Sequence, residues 1–139
     1  MVTGVEYSHG RRREVLSDYT FAVLNEETGE LVNIGKAYTG LTDAEIVELT
    51  EYFKANTLQS YGRFQLVKPE LVIEVAFEAI QKSARHKSGY ALRFPRILRI
   101  RTDKTPADIN TLTDVARMYE QYRAVYDGSP AGDGEGVTR

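Results

Sequence analysis

From Leu71 to Ala79 the apolar residues fall on every second position, Leu71, Ile73, Val75, Phe77 and Ala79, while Glu74 and Glu78 take the other phase. A period of two is the repeat of an extended chain, whose side chains alternate between faces, so the run predicts a half-buried β-strand. It is also long enough to fit a helix. Strand patterns recur on both sides of it. "YTFAVLN" (19–25) reads as a strand, the polar "EETGE" as a turn, and "LVNIGKAYT" (31–39) as the hairpin partner, ended by Gly40. "FQLVKP" leads into the alternating run, and Pro69 suits a strand edge or a bend between two strands. "ARHKSG" (84–89) is a basic loop, and "YALRFPRILRIR" (90–101) is the next strand, in which Pro95 forces a bulge or an edge position.

Two segments carry the helical repeat instead. In "LTDAEIVELTEYFKANT" the apolar residues Leu41, Ile46, Leu49, Tyr52 and Phe53 keep helical spacing, and Thr42 followed by Glu45 three residues on forms a capping box. A second helix is expected from about Leu112, with Val115, Met118, Tyr119 and Tyr122 on its apolar face. The residues ahead of Tyr19 read as an irregular basic start, and the Gly-rich polar stretch 127–139 reads as a mobile tail. With 139 residues, 42% of them hydrophobic, the chain can bury one core. About five strands interrupted by one helix and followed by another predict a mainly β fold over residues 1–126, a five-stranded Greek-key barrel of the OB type with an inserted and a C-terminal helix.

Composition removes several functions. The chain has no cysteine, which excludes disulfides, thiol catalysis and cysteine-based zinc sites. His9 and His86 share no ligand spacing, so no metal site is expected. No apolar run approaches the roughly 20 residues that span a bilayer, and no signal-like segment opens the chain, so a soluble cytoplasmic domain is expected, with no membrane partner. The net charge of −2 hides a strong asymmetry. Between Lys82 and Lys104 stand eight basic residues (Lys82, Arg85, Lys87, Arg93, Arg96, Arg99, Arg101, Lys104) against one acid, Asp103, a balance of 8 − 1 = +7, so the rest of the chain carries −9. Arg11 to Arg13 add a smaller basic group. A solvated strand face is the plain alternative, but arginine at every second or third strand position is a costly way to stay soluble. A basic face on an acidic body points to an anionic partner such as nucleic acid.

The densest part of that face, "RFPRILRIRTDK" (93–104), resembles the last motif of ATP-dependent DNA ligases, an arginine-rich strand ending in Arg-x-Asp-Lys. "DYTFAV" (18–23), "GKAYTGLTDAEI" (35–46) and "VKPELVIEVAFEAIQKSARHKSGYALRFPR" (67–96) are similar to the C-terminal OB domain of the same family, so the resemblance runs from about position 7 to 125. It implies a domain that binds duplex DNA at a nick and assists a nucleotidyltransferase domain, with ATP and Mg2+ used by the complete enzyme. In that family the nucleophile is a lysine in Lys-x-Asp-Gly, and no lysine here is followed by x-Asp-Gly. Lys36 follows Gly35 but precedes Ala37, which makes it a strand lysine near a DNA phosphate rather than a nucleophile. The chain is therefore expected to be non-catalytic alone, with the nucleotidyltransferase domain supplied in cis or in trans.

The resemblance assigns Arg101, Asp103 and Lys104 to ATP during adenylation, and Arg11, Arg12, Lys36, Arg93, Arg96 and Arg99 to DNA. Its physical basis is simple. Nucleotidyl transfer builds charge on phosphoryl oxygens and on the leaving pyrophosphate, which positioned cations stabilise, and Asp103 can orient one of them by a charge-assisted hydrogen bond. Glu74 and Glu78 read as solvent-facing or as ion-pair partners of the arginines. Tyr61, Tyr90 and Phe94 suit either base stacking or the core. Two rival readings are a free-standing OB module for single-stranded DNA or RNA, and the OB domain of a capping enzyme or RNA ligase.

Overall fold

The computed structural model describes residues 1–8 and 15–126, apart from the side chains of Tyr122 and residues 124–126. Arg11, Arg12 and the expected tail over 127–139 lie outside the described residues. Along the described chain run the strands β1 (Val2–Tyr7), β2 (Leu16–Asn25) and β3 (Glu30–Ala37), the helix α1 (Asp43–Ala55), the strands β4 (Thr57–Tyr61), β5 (Phe64–Val67), β6 (Ile73–Ala76), β7 (Ala79–Lys82), β8 (Tyr90–Arg93) and β9 (Arg96–Ile100), and the helix α2 (Leu112–Tyr126).

The hairpin predicted between residues 19 and 39 is β2–β3. Its turn is closed by Glu27 N–H donating to Asn25 Oδ1 at 3.0 Å and by Gly29 at φ +78°, a conformation that costs glycine nothing. β1 lies antiparallel against β2 and β5 lies on its other side, giving an antiparallel sheet in the order β3-β2-β1-β5-β4. β6 pairs with β9, and these two close the barrel. Val2 N–H donates to Leu71 O at 2.9 Å just before β6, and Ile97 N–H of β9 donates to Thr39 O at 3.0 Å just after β3. The ring therefore runs β1-β2-β3-β9-β6 and back to β1, with α1 between the third and fourth ring strands. That is the OB barrel, mainly β with two helices, and the β4–β5 hairpin widens it at β1. Gly40 sits where β3 hands over to β9: a Cβ there would stand 2.0 Å from Ile97 O, and its φ is +109°. No larger residue fits that crossing.

Both helices start as their sequences dictate. Thr42 Oγ1 accepts from Glu45 N–H at 3.1 Å while Glu45 Oε1 accepts from Thr42 N–H at 2.9 Å, the reciprocal box that satisfies the first free donors of α1. Thr111 and Asp114 do the same for α2. α1 buries Leu49, Thr50 and Phe53, and Phe53 meets Tyr19 of β2 with ring centroids 6.1 Å apart. Thr50 Oγ1 accepts from Leu16 N–H and donates to Ile46 O, so a polar group inside the core has both its bonds. α2 contributes the buried Val115, with Met118 and Tyr119 packed at the edge of the core.

Several expectations are corrected. The start of the chain is not irregular: Val2–Tyr7 is the central strand β1, with Val2 and Val5 fully buried. The alternating run takes the strand option, but it breaks at Phe77–Glu78, where Glu78 N–H turns to Arg93 O at 2.9 Å. The chain thereby leaves β9 as β6 and joins β8 as β7, and the phase flips, so Ile80 is buried instead of Ala79. The strand predicted over 90–101 is likewise two, because Phe94 takes φ +53° ahead of Pro95. A side-chain-bearing residue held there costs about 1–3 kcal/mol, which the two flanking strand pairings offset.

Candidate functional site

The basic run is displayed by a bulge. Val75 pairs with Ile97 and Glu74 with Arg99, so β9 carries one residue, Leu98, that β6 does not match. Strict alternation from the buried Ile97 would turn Arg99 and Arg101 inward; the extra residue shifts the phase, so that Ile100 packs against the core while Arg96, Arg99 and Arg101 look outward. Leu98 itself is 48% exposed.

On that outer face Arg101 is held from two sides. Its Nε and Nη2 donate to Asp103 Oδ1 and Oδ2 at 3.0 and 2.9 Å, a bidentate pair, and its Nη1 donates to Glu74 Oε1 on β6 at 3.3 Å. The same Glu74 oxygen stands 3.0 Å from Arg99 Nε. Hydrogen bonding to Arg101 first, and the nearby charges of Arg101 and Lys104 after it, pull the Asp103 carboxyl down to about 2. The hydrogen bond to Asp103 first, and the negative charges of Asp103 and Glu74 after it, hold the Arg101 guanidinium firmly protonated. Because the folded value of Asp103 lies below its ordinary 3.8, the pairing is fully present above that pH and is lost only as the pH falls through about 2. Lys104 follows one turn on, its N–H bonded to Arg101 O at 3.3 Å, and its exposed ammonium forms no ion pair among the described residues. Arg101 and Lys104 also border a cavity of about 340 Å³, whose other walls are mostly apolar side chains such as Phe21, Ile34, Val75 and Leu92, joined by Glu74, Asp108 and Asn110.

The other assigned residues divide. Arg96 is exposed at the start of β9, and Arg93 is exposed at the end of β8 with its guanidinium 5.2 Å from the centroid of the Phe94 ring. Lys36 is not brought into this group: on β3 its Nζ lies 2.9 Å from Glu6 Oε1 of β1. Of the aromatic residues, Phe94 and Tyr61 are 64% and 55% exposed, whereas Tyr90 packs against Tyr119 with centroids 5.4 Å apart. Lys82 lies 5.3 Å from the centroids of both those rings. His86 is tied within its loop by Ser83, Oγ to Nδ1 2.7 Å. Glu74 is the ion-pair partner that its phase on β6 allows, but its sharing between two arginines has no signal in the sequence, since it depends on the register of strands far apart in the chain. Glu78 is exposed.

The model of the "ATP dependent DNA ligase C terminal region" matches residues 12–104, ending on Lys104 of the motif. The chain belongs to this family. It is 60% identical over 119 residues to a probable DNA ligase of Opitutus terrae, covering 85% of this chain and 12% of that protein. It is 58% identical over 119 residues to a probable DNA ligase of Koribacter versatilis, covering 86% and 20%. The chain thus spans a fifth or less of the length of these two relatives. Among solved structures, the ligase domain of LigD from M. tuberculosis shares the fold with a TM-score of 0.59 at 20% identity, over 78% of this chain and 38% of that one. No helix among the described residues is long and apolar enough to cross a membrane.

Proposed function

We propose that this ligase C-terminal region binds nicked duplex DNA and, in the step before sealing, carries Arg101, Asp103 and Lys104 to ATP bound in a nucleotidyltransferase domain. There the adenylation lysine of that domain attacks the α-phosphorus, a P–N bond forms, and the bond to pyrophosphate breaks with its electron pair going to the leaving group. The observation that carries the reading is the bidentate Arg101–Asp103 pair beside Lys104, which has no ion-pair partner among the described residues. A guanidinium fixed in advance loses little rotamer freedom when phosphate arrives, and a free ammonium one turn away adds a second positive charge where negative charge accumulates. Mg2+ arrives with the nucleotide in this reading, and no group of three or more carboxylate or imidazole side chains among the described residues is placed to hold it. Arg93, Arg96 and Arg99, with Arg11, Arg12 and Lys36, are assigned to DNA phosphates, where binding by the chain alone should be weak, about 10⁻⁴ to 10⁻⁶ M, and steeply salt-dependent. Replication, repair and recombination all need such sealing.

The test is stimulation in trans. The chain is added to a nucleotidyltransferase domain that carries Lys-x-Asp-Gly, with labelled ATP and Mg2+, and the covalent adenylate is followed. The native chain should raise the rate, Arg101→Ala should remove the gain, and the label should sit on the partner. A stoichiometric adenylate on this chain, or a gain untouched by Arg101→Ala, would overturn the reading. Tight, salt-insensitive binding to single strands would favour the free-standing OB module instead.

A further inference from the structure

We propose that Glu74 is a positioning residue for adenylation, acting through Arg101; the inference rests on the function proposed above. A guanidinium offers five N–H donors. Asp103 takes Nε–H and one N–H of Nη2, and Glu74 takes one N–H of Nη1, so two remain, one on each terminal nitrogen, for an arriving phosphate. With Asp103 alone, the side chain would be fixed along one edge but free to swing with the exposed turn that carries Asp103. Glu74 stands on β6, in a different strand pair, and supplies the second point that turns a tether into an orientation. It is a carboxylate rather than a neutral acceptor for a reason visible in its other contact. Its Oε1 also holds Arg99 at 3.0 Å, so one negative charge separates two guanidinium groups, one on β9 and one just past its end, that would otherwise repel each other. Neutralising Glu74 leaves that repulsion uncompensated and lets Arg101 turn away from its place.

The arrangement is built by the Leu98 bulge. Without the extra residue Arg101 would sit in the inward phase and could not share Glu74 with Arg99. Glu74 itself is half-buried and on the strand interior, so its own backbone is fixed by the β6–β9 pairing. It touches no reacting atom. Its effect is therefore expected in the rate of the adenylation step and only through the guanidinium that it orients.

The experiment compares Glu74→Gln, Arg101→Ala and the double variant in adenylation by the same mixture of chain and nucleotidyltransferase domain. Gln keeps the size and an acceptor oxygen but removes the charge. Glu74→Gln should lower the maximal adenylation rate by about 10–100-fold, the range for loss of a group that orients a reacting one, while the ATP concentration for half-maximal rate changes much less. On the Arg101→Ala background it should cost nothing further, because its route of action is already gone. Thermal unfolding of Glu74→Gln should match the native chain, which a fold-supporting role would not allow. If Arg101→Ala loses activity and Glu74→Gln does not, or if the two losses multiply, the positioning role is overturned while the function stands. If Arg101→Ala itself is silent, both fall.

Discussion

The α1–β2 side of the barrel and the outer face of β9 both hold polar groups in fixed places, but to opposite ends. Under α1, Thr50 Oγ1 is buried with one bond given and one received, and Tyr19 OH donates to Leu16 O at 2.6 Å inside the core. Both hydroxyl protons are committed inside the core, so these groups hold the fold. Just past the end of β9 the groups are fixed only in part: the half-buried Arg101 keeps two donors, and the exposed Lys104 keeps its charge. Desolvation makes the first set expensive to disturb, while solvent makes the second cheap to disturb for stability and costly only for function. A site can therefore be recognised by polar groups that are oriented without being saturated.

The contrast can be broken at graded depths. The largest stability loss is expected at Phe53, fully buried against Tyr19: Phe53→Ala should cost about 3–5 kcal/mol in chemical denaturation. Thr50→Val keeps the shape but strands the Leu16 N–H inside the core, and about 1–3 kcal/mol should go. Lys36→Ala removes an exposed pair with Glu6 and should change stability by less than about 1 kcal/mol, and its small loss should shrink as salt is added. Arg101→Ala belongs with the last group in stability, although its functional effect is expected to be the largest of all. A loss of stability at Arg101 as large as at Phe53 would erase the distinction.

Much of the fold side was legible in the sequence because it is written locally. Thr42 and Glu45 are three residues apart and cap a helix by themselves; the hairpin of β2 and β3 needs only its turn and two flanking apolar runs. β1 was not legible, since Val2–Tyr7 gains its strand character from being sandwiched between β2 and β5, the latter about sixty residues away along the chain. The break at Phe77–Glu78 has the same cause: nothing in "VAFEAI" says that β6 and β7 answer to different partners. On the site side, the arginines and Asp103 could be named from the motif, but strict alternation would have faced Arg101 inward. Only the two-against-one pairing at Leu98 turns it outward toward Glu74.

In the function proposed above, the end of the arginine strand serves ATP rather than DNA. The most direct measurement separates the two steps of the complete reaction in one preparation, the chain joined to a nucleotidyltransferase domain, with Arg101 or Lys104 replaced by alanine. Lysine adenylation should fall by roughly 10² to 10⁵-fold, the effect of a positioned cation at a phosphoryl-transfer centre, while sealing of a nick that already carries its adenylate should fall far less. Equal losses in both steps would mean that Arg101 and Lys104 only grip DNA, and the assignment to ATP would be wrong.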